Sequence, residues 1–154
     1  MSCSGCSRRE LLHGLALTTV AVAAGCSGAG VPVEPDGMNN PAITMCGTNL
    51  CIDLTAAANA ALTAVDGAMT VLAPHDKIIV VCTAAGSYAA NSDICTHAGC
   101  SVGYDKAAKD LACPCHNSKF MLSGAVQRGP ATRPLKHYQT MFDASTNMLT
   151  IVLA

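Results

Sequence analysis

Three observations in the sequence predict an all-β domain, a small antiparallel β-sandwich or barrel. Short apolar segments recur at close spacing through the second two-thirds of the chain, turn-forming residues separate them, and no stretch carries the period of a long helix. A chain of 154 residues suits one such domain, and no internal repeat divides it.

From Asn49 to Leu54 the apolar side chains Leu50, Ile52 and Leu54 alternate, the period of a half-buried strand. Ala56 to Leu62 is Ala-rich and suits one or two helical turns. Met69 to Leu72 and Lys77 to Thr83 read as strands joined by the turn residues Ala73-Pro74-His75-Asp76, and Ser87 to Ala90 returns across Ala85-Gly86. Val102 to Tyr104 and Asp110 to Ala112 flank a charged turn at Asp105-Lys106. Phe120 to Leu122 and Ala125 to Gln127 flank Ser123-Gly124. Tyr138 to Asp143 and Met148 to Leu153 close the chain as a hairpin around Ala144 to Asn147.

Composition narrows the chemistry. Ten residues are Cys, whereas Tyr and Phe contribute only three and two and Trp none, so the core is aliphatic and the chemistry lies among the thiols. Nine Lys and Arg against ten Asp and Glu give a formal charge of -1, without the basic stripe that a phosphate backbone requires, so nucleic acid is not an expected partner. Thiols this numerous are unusual in a reducing compartment unless they bind metal or react.

The first 25 residues read as an export signal. Ser7-Arg8-Arg9-Glu10-Leu11-Leu12 opens an apolar stretch from Leu11 to Ala24, about fourteen residues, where crossing a hydrocarbon core takes roughly twenty. Its paired arginines resemble the twin-arginine motif, which implies export of a chain already folded around its cofactor. Ala23-Ala24-Gly25-Cys26 resembles a lipobox, with Ala23 where that motif usually has Leu or Val, and implies a lipid on Cys26. Cys3 and Cys6 would leave with the signal. Residues 26–41 are rich in Gly, Pro, Asp and Asn and read as a flexible tether, leaving 42–154 as the folded domain.

Two clusters carry the chemistry: Cys95-Thr96-His97-Ala98-Gly99-Cys100 and Cys113-Pro114-Cys115-His116-Asn117-Ser118. Each offers a Cys and His pair plus one additional Cys, and two soft thiolates with two imidazoles suit a transition metal. The paired boxes C-x-H-x-G-C and C-x-C-H-x-S resemble those of the Rieske iron-sulfur family, over roughly residues 60 to 154. The resemblance implies a Rieske fold, in which two loops form a cluster-binding subdomain that holds one 2Fe-2S cluster. Cys95 and Cys113 would bind one iron, His97 and His116 the other, and Cys100 and Cys115 would form a disulfide between the loops, as in the exported, respiratory-type branch. Neutral imidazoles in place of thiolates raise the potential to between about -150 and +300 mV, against roughly -400 mV for plant-type ferredoxins. An imidazole bound to ferric iron also loses its outer proton more readily, so electron and proton could be accepted together.

Other residues match positions that tune such a site. Gly99 belongs to the first box. Ser118 stands where a hydroxyl donates to a bridging sulfide, and Phe120 where the highest-potential members carry a Tyr. Asn117 replaces the commoner Gly after His116, which calls either for positive φ at Asn or for a differently shaped turn. Gly129-Pro130-Ala131 resembles the proline loop that covers the cluster. Cys46 and Cys51 bracket Gly47 to Leu50, compatible with a hairpin disulfide or with two separate thiols. Cys82, beside the apolar run Ile78 to Val81, reads as a small buried hydrophobe, and His75 and His137 as surface residues.

The resemblance implies a one-electron carrier, anchored through its lipid on the periplasmic side of the bacterial cytoplasmic membrane. It would pass electrons from a quinol or a partner enzyme to a cytochrome. Its partners would be a quinol-oxidising cytochrome b-type subunit and a c-type cytochrome. A small subunit of a molybdenum oxidoreductase, or a free-standing carrier lipoprotein, is the alternative. Two readings belong to other classes: a structural zinc module, and a thiol-disulfide oxidoreductase using Cys113-Pro114-Cys115. Because Phe120 lacks the donor hydroxyl, redox titration of the purified protein is expected to give an intermediate potential; a value at the top of the Rieske range would contradict this.

Overall fold

The computed structural model describes residues 40–153. The expected signal of residues 1–25, Cys26 and most of the tether lie outside the described residues. The remainder forms twelve strands and one short 3-10 helix, arranged in three antiparallel four-stranded sheets.

The strands are β1 (Ile43–Cys46), β2 (Asn49–Asp53), β3 (Ala68–Ala73), β4 (Asp76–Ala84), β5 (Ser87–Ser92), β6 (Gly103–Asp105), β7 (Asp110–Ala112), β8 (Lys119–Phe120), β9 (Val126–Arg128), β10 (His137–Tyr138), β11 (Thr140–Asp143) and β12 (Met148–Ile151). The first sheet has the order β1-β2-β12-β11, the second β10-β5-β4-β3 and the third β6-β7-β8-β9. The third sheet is an insertion between β5 and β10 of the second.

One core lies between the first two sheets, with Ile52, Leu62, Val71, Ile78, Val80 and Leu149 among its members. Ile79 and Val81 belong instead to a second core with Val102, Leu111, Phe120 and Leu135. Successive side chains of a strand point to opposite faces, so the unbroken run Ile78 to Val81 packs one core on each side of β4. Burying each of these side chains stabilises the fold by about 1.5–3 kcal/mol.

Local chemistry sets the connections. Ala73 pairs with Asp76, leaving Pro74-His75 as a two-residue loop between β3 and β4. Asp143 accepts hydrogen bonds from the Ser145 amide at 2.8 Å and hydroxyl at 2.6 Å, the Asx geometry that turns β11 back into β12. The expected helical turns are present as the 3-10 helix Ala57–Thr63. Asn59 in that helix is fully buried and donates to the Asp53 carbonyl at 2.7 Å while accepting from Asn40 at 2.7 Å.

Three features differ from the sequence expectation. The segment Tyr138 to Asp143 is not one strand. β10 pairs with β5 in the second sheet, and after Gln139 the chain crosses to the first sheet as β11. β1 was not expected; three of its four residues are exposed, so no buried period marks it. The alternation in β2 is also incomplete, because Cys51 is buried along with Leu50 and Ile52.

Among the described glycines, Gly67 leaves the least room for a side chain. A Cβ there would stand 1.6 Å from the carbonyl oxygen of Ala61 in the 3-10 helix. The Gly67 carbonyl also accepts from the Cys82 amide at 2.9 Å, fixing the helix against the end of β4. Gly67→Ala must therefore push helix and strand apart, and is expected to cost about 1–3 kcal/mol as other overpacking changes do. Denaturant unfolding of the purified protein measures this; an unchanged midpoint would refute the contact.

Candidate metal centre

The two Cys and His clusters form loops of the same backbone design. In the first, the Cys95 amide donates to the Cys100 carbonyl at 2.8 Å and the Gly99 amide to the Cys95 carbonyl at 2.9 Å. In the second, the Cys113 amide donates to the Ser118 carbonyl at 2.8 Å and the Asn117 amide to the Cys113 carbonyl at 3.0 Å. Each loop thus closes between its first and sixth residues, with a second bond from the fifth. That fifth residue has positive φ in both, +75° at Gly99 and +60° at Asn117. Asn is among the few side chains that tolerate this region, so Asn117 keeps the turn that a Gly would otherwise make. The β6–β7 hairpin links the loops, with β7 delivering Cys113 and the Ile94–Ser101 bridge closing the base of the first loop.

The loops present their donors together. Cys95 and Cys113 are unbridged thiols, each 2% exposed, and both belong to the core backed by Ile79 and Val81. His97 and His116 face solvent, and their rings stand edge to face with centroids 4.7 Å apart. A disulfide joins Cys100 to Cys115. Its sulfurs lie within 4.8 Å of the Cys113 sulfur, but both are committed to the bridge and leave Cys113 as the free donor of that group. This pairing leaves no Cys113–Cys115 couple, so a Cys-Pro-Cys redox motif is not what the structure forms. The donors that remain are two thiols on the core side and two imidazoles on the solvent side, a set that fits an iron-sulfur cluster with mixed ligation.

The flanking residues also converge. Ser118 is fully buried, and its hydroxyl oxygen accepts from the Ala131 amide at 3.0 Å, leaving its own proton to donate. Phe120 is fully buried in the same core as the two thiols. Pro130 follows a cis peptide bond at Gly129 in the segment that Ala131 pins to Ser118. The Thr96 hydroxyl donates to the Arg133 carbonyl at 2.6 Å, so this third segment is tied to both loops. The sequence carried no sign of that tie, because nothing local to Thr96 points to a partner 37 residues on.

Two carboxylates, the buried Asp110 and the half-buried Asp66, brace the hairpin. Asp110 receives the Lys119 ammonium at 2.8 Å, and Asp66 receives the Tyr104 hydroxyl at 2.9 Å together with the Lys109 ammonium. Lys109 and Tyr104 hold the Asp66 carboxyl below its usual range, while burial and then Asp66 push the Tyr104 hydroxyl up to about 12. The Asp66 contacts tie the third sheet to the turn before β3.

Cys46 and Cys51 form a second disulfide, within the β1–β2 hairpin. Cys82 is buried, and His75 and His137 are exposed, as expected. Removing the loop bridge with Cys100→Ser and Cys115→Ser frees a closed loop of 15 residues, worth about 3 kcal/mol. The double variant is expected to unfold at correspondingly lower denaturant, which circular dichroism measures; an unchanged midpoint would mean that the bridge does not hold the loops.

The family model for the Rieske [2Fe-2S] domain matches residues 55–139, which include both loops and the Pro130 segment. A curated cytochrome b6-f complex iron-sulfur subunit from Chlorobaculum tepidum is 43% identical over 76 residues, 49% of this chain and 41% of that protein. A subunit of the same description from Gloeobacter violaceus is 50% identical over 42 residues, 27% of this chain and 23% of its own. The chain therefore spans less than half the length of these relatives. Among solved structures, the cyanobacterial plasma membrane Rieske protein from Synechocystis PCC 6803 superposes with a TM-score of 0.51 at 34% identity, covering 55% of this chain and 85% of that one. With the family model matched across more than half its length, and with both boxes folded into joined loops, this chain belongs to the Rieske [2Fe-2S] domain family, whose cofactor is one 2Fe-2S cluster.

Proposed function

We propose that this protein is an exported electron carrier, a subunit of a cytochrome bc-type quinol oxidoreductase. The observation that carries the proposal is the pair of matching loops, which set Cys95 and Cys113 against the core and His97 and His116 in solvent. Cys95 and Cys113 would hold one iron, and His97 and His116 the other. The cluster, when bound, supplies reversible one-electron chemistry.

The chain's own groups do the rest. Cys95 and Cys113 are buried while His97 and His116 are exposed, so an electron would enter and leave through the imidazoles. The outer ring nitrogens of His97 and His116 can hold or release a proton at the protein surface, which suits a quinol as donor. Ser118 offers its hydroxyl proton to the cluster side of its loop, Gly99 gives the first loop its turn, and Phe120 packs without donating. Pro130 covers the remaining side of the loops.

The relatives described as cytochrome b6-f subunits support a quinol-oxidising cytochrome b-type subunit and a c-type cytochrome as partners. The paired arginines Arg8-Arg9 and the Ala23-Ala24-Gly25-Cys26 stretch support twin-arginine export and a lipid on Cys26 that anchors the domain on the periplasmic side. No helix among the described residues is long and apolar enough to cross a membrane.

Purified protein is expected to contain iron and acid-labile sulfide in equal amounts and to absorb visible light, and His97→Ala or His116→Ala should abolish that absorption. Zinc without sulfide would overturn the assignment. From solubilised membranes the tagged chain should bring down a b-type haem protein, whereas a molybdenum-containing partner would transfer the chain to that class of oxidoreductase.

A further inference from the structure

Asn91 is a polar side chain buried where the fold otherwise places apolar ones. It lies on β5 opposite Ile79 of β4, and cross-strand partners share a face, so it points toward the core that backs Cys95 and Cys113. It is fully buried. A carboxamide without hydrogen bonds would destabilise such a core, and here both ends of the group are used. The amide nitrogen donates to the Leu122 carbonyl at 2.9 Å, and the amide oxygen stands 3.0 Å from His137 Nδ1. A carbonyl can only accept, so the nitrogen must face Leu122, the oxygen faces His137, and Nδ1 carries the proton of that pair.

Between these two partners the chain makes the segment that flanks the metal centre. From Leu122 it runs through Gly124 and β9 to Pro130, and it returns through Leu135 to His137. Its outer part is held by the loops, through the Ala131 amide on the Ser118 hydroxyl and the Thr96 hydroxyl on the Arg133 carbonyl. At its base the Leu135 amide donates to the Gly124 carbonyl at 2.9 Å. Gly124 has φ +84°, and a Cβ on it would stand 2.8 Å from the Leu135 carbonyl oxygen and 3.0 Å from Asn91 Oδ1. The base is thus packed tightly around the buried carboxamide. Its return limb is joined to β5 by the backbone ladder of β10, whereas the Asn91 side chain ties the outgoing limb, at Leu122, to the same strand.

We infer that Asn91 is a positioning residue for the metal centre: its carboxamide closes the base of the Leu122 to His137 segment and so holds Pro130 over the two loops. The inference rests on the proposal that Pro130 covers the cluster, and adds what keeps that cover closed. Without the carboxamide the outgoing limb loses its tie to β5 while the sheets keep their ladders, so the segment opens locally, ahead of the strands that carry it.

The test uses the full-length holoprotein, exchanged into deuterium oxide and read by mass spectrometry of peptic fragments. Asn91→Leu keeps the side-chain volume and removes both hydrogen bonds. Fragments from residues 122–137 should then exchange about tenfold faster, the effect of roughly one buried hydrogen bond, while fragments from β4 change less than about twofold. His137→Ala should act more weakly, because that ring is exposed and water can replace it on Oδ1. Gly124→Ala leaves Asn91 in place, crowds the same base, and should reproduce the fragment pattern of Asn91→Leu. Iron release from the dithionite-reduced protein to the chelator ferrozine should be faster in both of these variants than in the unsubstituted protein. Exchange that rises equally in β4 and in 122–137 would reduce Asn91 to a general stabilising residue and overturn the inference, as would exchange unchanged in both. So would failure of both variants to fold, because a local clasp leaves the sheets intact. Faster exchange at 122–137 with unchanged iron release would overturn the shielding of the metal centre. Purified protein without iron would instead defeat the cluster assignment, and the exchange pattern would still decide the clasp.

Discussion

Burial of β4 on both faces is the constraint on which the rest of the molecule depends. Ile78 and Val80 complete the core between the first two sheets, while Ile79 and Val81 form the floor under Cys95 and Cys113. A strand half exposed to water could serve only one of these. Because both faces are apolar, the inserted third sheet has a surface to settle on, and the metal centre is built on the scaffold rather than held out on a linker. The 3-10 helix against Gly67 and the Asp66 contacts with Tyr104 and Lys109 fix the same strand end and the same hairpin from the other side.

On that floor, two loops of unlike sequence reach one geometry. The His is third in the first loop and fourth in the second, and the bridging Cys is sixth in one and third in the other. The backbone nevertheless closes in the same way in both, through positive φ at the fifth residue. This places the thiols inward and the imidazoles outward, and the Cys100–Cys115 bridge turns two independent turns into one unit. Donors shielded from water on one side and open on the other suit the one-electron chemistry proposed for this centre.

Much of this was legible from local patterns. The boxes Cys95 to Cys100 and Cys113 to Ser118 gave the donor set and the family, since metal and disulfide chemistry demands particular side chains at short spacing. Alternation and turn residues gave most of the strands. The failures share a cause. Tyr138 to Asp143 has one continuous strand-like pattern, but its two halves hydrogen-bond in different sheets, and the exposed β1 has no buried side to leave a period in the sequence. The Cys46–Cys51 spacing was ambiguous until the hairpin register brought the two residues together.

The amino-acid sequence by itself determined which groups this protein has to work with: two Cys and His boxes whose side chains suit a metal, further thiols able to bridge, an Asn able to replace a Gly, and an apolar run long enough to be buried twice. Only the tertiary structure decided what those groups face. That β4 floors the metal centre, that Ser118 and Thr96 hold the Pro130 segment, and that Asp66 meets Tyr104 and Lys109 are facts of distant residues meeting. Such contacts span tens of residues and leave no local period, because their energy comes from burial and pairing that exist only once the sheets have assembled.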